Sequence, residues 1–185
     1  MAVDPDQARE AAFARIRQWG DPVLRERARE VETFDDALAG QVADMMRLMV
    51  AADGAGLAAT QVGVLRRLFV YRLADDEVLH VVVNPELVET SETHETELEG
   101  CLSLGKAGVL VEVERPAEVV LEGRDVEGEP LRIEATGMHA RVLQHELDHL
   151  DGVLMLDRTT REQRRQAVRA LEQGERWRPD APAPT

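Results

Sequence analysis

Cysteine is nearly absent from this chain of 185 residues: Cys101 stands alone, so no internal disulfide can form. A single thiol is either an inert core residue or one kept for its reactivity. No apolar run approaches membrane-spanning length, which excludes a helical membrane protein. The opening residues, MAVDPDQARE, lack the basic start and apolar stretch of a secretory signal, so a cytoplasmic protein is expected. Positive charge is also short. With 22 basic against 36 acidic residues the formal charge is −14, which argues against broad binding to DNA or any other phosphate backbone. Lys106 is the only lysine, and no internal repeat is visible.

What is present suffices for one folded domain. Hydrophobic residues make up 44% of the chain, and the length fits a single core. One domain is expected over 1–178, with the polar, proline-rich end at 179–185 disordered. A short helix is predicted over 7–17, carrying Phe13 and Ile16 on one side, and WGDPV breaks it. A longer helix should run from Thr33 or Asp35 to about Ala52, because Leu38, Val42, Met45 and Met49 recur at helical spacing. Strands are predicted at 66–73, 77–84, 108–115, 117–124 and 130–136, with VEGEP (126–130) as a turn. Helices follow over about 137–150 and 160–173. This order implies an α+β fold with a mostly antiparallel sheet.

The chemistry is concentrated in LQHELDHLDG, residues 143–152. At a hundred degrees per residue, His145 and His149 lie about 40° apart around a helix and one turn apart along it, so both can reach one ion. Glu146 sits to their side, placed to contact a water on that ion. Leu143, Leu147 and Leu150 form an adjacent apolar stripe, and Asp148 is expected to face solvent or to stand behind the ligands. Two histidines make an incomplete centre, since a catalytic site of the zinc type takes three protein ligands and leaves one position for water. Beyond Asp151 the chain has no His or Cys. Upstream, LEGCLSLG (98–105) offers Cys101 from a loop where Gly100 permits close approach. Glu99 and Arg115 are expected to pair behind that loop. His139 is spaced poorly for a ligand, and His80 and His94 read as ordinary strand or surface residues.

Three segments in this order, GAGLAATQ (54–61), EGCLS (99–103) and QHELDHL (144–150), resemble the motifs of bacterial-type peptide deformylases. The likeness extends from GDPVLR near residue 20, through NPEL (84–87), to VLMLDR ending at 158. It implies a fold of antiparallel sheets around a central HExxH helix, flanked by N- and C-terminal helices. It further implies hydrolysis of the formyl group from the N-terminal formyl-methionine of newly made proteins. The cofactor would be one Fe2+ per chain, with Zn2+, Ni2+ or Co2+ as substitutes. By the same likeness, Cys101, His145 and His149 hold the metal and Glu146 is the general acid and base. The Gln61 side chain and the Leu102 backbone N–H become oxyanion donors. Gly56, Leu57, Glu99 and Gly100 line the substrate cleft, and Arg115 supports from behind.

Two departures bear on the cleft. Where the family commonly has a proline two places after the serine, Ser103 is followed by Leu104, Gly105 and Lys106, in a segment about two residues longer than usual. Ala55 is also smaller than the branched residue often found there. Rival readings are an HExxH metallopeptidase, which would give Cys101 no role, and an inactive metal- or ribosome-binding homologue, which would need neither Glu146 nor Gln61. The segment 158–178 carries seven arginines against three glutamates. It reads as a solvated helix face or as a docking surface for ribosomal RNA.

Overall fold

Short polar side chains start three of the four helices in the computed structural model, which describes residues 4–73 and 78–179. Asp4 caps α1 (Pro5–Arg15). The Asp35 carboxylate accepts from the Leu38 N–H at 2.9 Å to begin α2 (Asp36–Ala51). The Thr160 hydroxyl accepts from the Gln163 N–H at 3.2 Å to begin α4 (Arg161–Gln173), which ends at Gly174 in the left-handed region. The exception is α3 (Gly137–Leu150), which has no side-chain cap and springs directly from a strand.

Among the described residues, seven antiparallel strands divide into two sheets. The larger has the order β1 (Gly56–Ala58), β2 (Leu68–Tyr71), β3 (His80–Thr90), β6 (Glu118–Arg124) and β7 (Pro130–Thr136). The smaller pairs β4 (His94–Gly100) with β5 (Leu110–Pro116). Inside β3 the register with β6 shifts after Val83, where Asn84 takes φ 52°. The irregularity is held from the side: Asn84 accepts from the Val31 N–H at 2.8 Å and donates to the Val31 carbonyl at 2.9 Å. Proline at position 85 fits there, because a bulge does not require its missing N–H.

α3 lies between the two sheets. Its Ala140, Val142, Leu143 and Leu150 pack on Ala58, Phe69, Tyr71, Val82, Val119 and Leu121 of the large sheet. α1 and α2 bury Phe13, Ile16, Leu38, Met45 and Met49 over β1 and β2. α4 places Ala167 and Ala170 against Val111 and Val113 of β5, with Leu154, Met155 and Trp177. The structure also buries the polar side of α3: Arg141, Gln144, Glu146, Asp148 and His149 are all enclosed. Past its first turn this helix is enclosed, so its polar residues need partners.

Several expectations are corrected. β4 and the short β1 were not anticipated, and β3 runs well past residue 84. Of the two placements expected for Asp148, the structure has the second: it is buried behind the ligand residues and bonded to Arg115. The strand expected from residue 77 begins at His80, and the expected disordered tail lies outside the described residues from 180 onward. Among the described residues, no helix is long and apolar enough to cross a membrane.

Candidate active site

Cys101 directly follows β4, and the two histidines project from successive turns of α3, so two separate layers meet at one point. One ligand atom from each of Cys101, His145 and His149 lies within 4.8 Å of the others. Cys101 Sγ is 3.2 Å from His149 Nε2, and the imidazole centroids are 5.0 Å apart. The thiol also receives the Ser103 N–H at 3.4 Å and the Gln61 side-chain amide at 3.6 Å. That amide is fixed at both ends: its oxygen accepts from the Ala58 N–H at 2.8 Å, and its nitrogen donates to Ser103 Oγ at 3.1 Å.

Behind the histidines lies a buried charge network. His145 Nδ1 is 2.9 Å from Glu99 Oε2. Glu99 accepts two bonds from Arg115, at 2.6 and 3.0 Å, and one from Arg141 at 2.7 Å. Arg115 also reaches Asp148 at 2.9 Å, and Asp148 accepts from Arg158 at 2.6 Å. Burial alone would raise the Glu99 carboxyl, but hydrogen bonds and charge from His145 and Arg115 hold it well below the usual carboxylate range. Burial alone would lower His145, yet Cys101 and Glu99 outweigh this and raise it well above an ordinary histidine. Burial, with the charges of His145 and Arg115, pushes His149 well below that value.

This arrangement fits a divalent metal. A ligating histidine characteristically donates its other ring N–H to a carboxylate, and His145 does so to Glu99, leaving Nε2 for an ion. His149, kept neutral, offers its lone pair. One sulfur with two imidazole nitrogens is a donor set suited to zinc or iron.

Glu146 is enclosed, and its Oε2 has no hydrogen-bond partner. Burial first, with the Glu99 charge adding, pushes it up to about 7 against the pull of His145 and Arg115. Gly56 makes room for it: a Cβ there would lie 2.6 Å from Glu146 Cδ and 2.7 Å from Cγ. A cavity of about 460 Å³ opens over the site. Gly56, Gln61, Glu99, Gly100, Cys101 and Leu102 line it with His145 and Glu146. Leu57 does not. Its side chain is fully buried in the core under α2, because alternate residues of β1 face opposite ways. Arg115 pairs with Glu99 as the sequence suggested, whereas Arg141 was missed, although its position one turn before His145 signals the same helix face. His139 is remote from the cluster and instead stacks on Tyr71 with centroids 5.4 Å apart.

The model of the polypeptide deformylase family matches residues 13–165. The chain belongs to this family. The peptide deformylase of Natranaerobius thermophilus is 42% identical over 147 residues, covering 80% of this chain and 92% of that one. The crystal structure of the Legionella pneumophila peptide deformylase superposes with a TM-score of 0.80 at 38% identity, over 85% of this chain and 92% of the other. A peptide deformylase from Synechococcus elongatus, solved in complex with actinonin, also gives 0.80, at 40% identity over 86% and 87%. Peptide deformylases are metal-dependent hydrolases that remove N-terminal formyl groups from nascent proteins. The cluster of Cys101, His145 and His149 is the candidate metal site of this deformylase.

Proposed function

We propose that this chain deformylates N-formyl-methionyl nascent peptides in the cytoplasm, releasing formate. One divalent ion would be held by Cys101, His145 and His149, with Fe2+ preferred and Zn2+, Ni2+ or Co2+ as substitutes. The observation that carries the reading is Glu146: a buried carboxylate with a free oxygen, beside three convergent ligand atoms and a fixed amide. A bound ion of this kind supplies a water acidified toward neutrality. Glu146 takes the proton of the attacking water and passes it to the departing amine, which would otherwise leave as an unstable anion. Gln61 Nε2 donates to Ser103 Oγ and Cys101 Sγ, and with its oxygen fixed by Ala58 it would turn the hydrogen now on the sulfur to the developing oxyanion once Cys101 holds the ion. The Leu102 N–H, which meets no acceptor among the described residues, is the second donor. Gly56 and Gly100, which line the cavity, leave room for Glu146 and for Leu110 respectively.

The test is formate release from a formyl-methionyl peptide under anaerobic conditions, comparing iron-loaded, zinc-loaded and chelator-treated protein. A negative thiolate ligand weakens the ion's acidity, so metal identity should matter. Zinc is expected to bind more tightly than iron yet turn over more slowly, and chelation should abolish release. No formate from either form, with stoichiometric ion bound, would overturn the proposal.

A second reading concerns α4. Arg161, Arg164, Arg165 and Arg169 are exposed, while Ala167 and Ala170 hold the helix to the body. We propose that this basic face docks on ribosomal RNA near emerging chains. Replacing the four arginines with glutamine should reduce ribosome co-sedimentation, most clearly at low salt. Equal co-sedimentation of the two proteins would dispose of the idea.

A further inference from the structure

The family match begins at residue 13, but α1 begins at Pro5, and its Arg9 and Phe13 line the same cavity as Cys101 and Glu146. Lys106 joins them from a turn between Gly105 and Gly108, both of which have positive φ. The two segments are stitched together. Gln18 donates to the Leu102 carbonyl and accepts from the Gly105 N–H, each at 3.1 Å, and the Trp19 N–H bonds the Ser103 carbonyl at 2.8 Å. The wall formed by α1 is therefore fixed relative to the cysteine loop.

The charge on this wall is distinctive. The Arg9 guanidinium carbon lies 5.6 Å from the centroid of the Phe13 ring, and among the described residues it meets no carboxylate. Lys106 Nζ is 3.0 Å from Glu10 Oε1, in a pair whose side chains are 55% and 76% exposed. Such a pair is weak and readily exchanged for another carboxylate. The other acids lining the cavity are already engaged: Glu99 by Arg115 and Arg141, and Asp53 by Arg72 at 2.8 Å. Glu146 is reserved for proton transfer. On a protein of net charge −14, two cations at one rim form a local exception.

We infer that Arg9 and Lys106 form a carboxylate-reading rim, so that the enzyme favours formylated peptides carrying Asp or Glu within the first few residues after methionine. This rests on the deformylase reading above. A substrate with its formyl group beside Cys101 must run outward along the cavity walls, and this wall offers its side chains a positive field.

The test uses C-terminally amidated formyl-methionyl peptides with Glu, Gln or Lys placed in turn at the second, third or fourth position. At low salt the Glu peptide should exceed the Lys peptide in kcat/KM by about threefold or more at one position, mainly through KM. Half-molar salt should flatten that ratio in the unaltered protein, which needs no variant to fold. The double variant Arg9→Gln/Lys106→Gln should bring the ratio toward one, and Lys106→Glu should invert it. Equal rates at all three positions, a preference for Lys, or a ratio that survives the double variant would overturn the rim. Absence of formate from the Gln peptides would instead overturn the deformylase reading itself, and the rim with it.

Discussion

Replacing Glu146 with glutamine is expected to lower formate release by about a hundred- to ten-thousandfold while the bound ion stays in place. Glutamine keeps the size and one oxygen of the carboxylate, so Gly56 still accommodates it. It cannot accept the proton, and no other group is placed to do so: Glu99 is fully occupied by Arg115, Arg141 and His145. The pH profile should change as well. Burial pushes Glu146 up to about 7 in the ion-free chain, and the field of a bound dication draws it lower. Activity in the unaltered enzyme should therefore fall on the acid side, as the carboxylate that accepts the proton is lost, with a midpoint below 7. The variant should lose that limb. Steady-state rates with metal content measured on the same samples decide the matter. A variant with a full ion and a rate within tenfold would place the base elsewhere.

Glu99→Gln is expected to destabilise the fold by about 3 kcal/mol or more, because Arg115 and Arg141 would remain buried with their main counter-charge removed. Both sides of the Glu99–Arg115 pair are only 4% exposed, so solvent screening gives little relief. For a chain of this size, such a loss lowers Tm by about 6–12 °C. His145 would also lose the carboxylate that fixes its tautomer, and ion affinity should drop about ten- to a hundredfold. The pH dependence has a definite sign. The folded-state carboxyl lies below its unfolded value, so its stabilisation is present above that unfolded value and is lost as pH falls through the folded one. The difference in Tm between the two proteins should thus be full at neutral pH and shrink in acid. A Tm within 2 °C at pH 7 would show that the network carries little of the stability.

Helices and central strands were legible because their patterns are local. Leu38, Val42, Met45 and Met49 mark α2, and the observed span Asp36–Ala51 begins just after Asp35, the later of the two expected starts, and ends one residue before Ala52. The bounds of α3 agree fully with the expectation. β4 was not legible, because HETELEG puts only Glu99 inside and leaves acids and threonine facing out. A ribbon two strands wide has little interior to imprint on its sequence. β1 is three residues long and glycine-led, too short for any alternation to show. At the site, the candidate ligand residues could be named from motif order, and their convergence needed the fold. Leu57 was misplaced because a motif does not say which neighbours point inward. Gln18 and Arg141 were missed because each works through a contact distant in sequence, Gln18 with Leu102 and Arg141 with Glu99.

The position of α3 also has a consequence for biosynthesis. The apolar face it covers comes earlier in the chain: Phe69, Tyr71, Val82, Val119 and Leu121 are all translated before residue 137. Until Leu150 has cleared the exit tunnel, that apolar face has no lid. The molecule therefore completes its interior, and brings Cys101 up to its two histidines, only after the whole of α3 has been made.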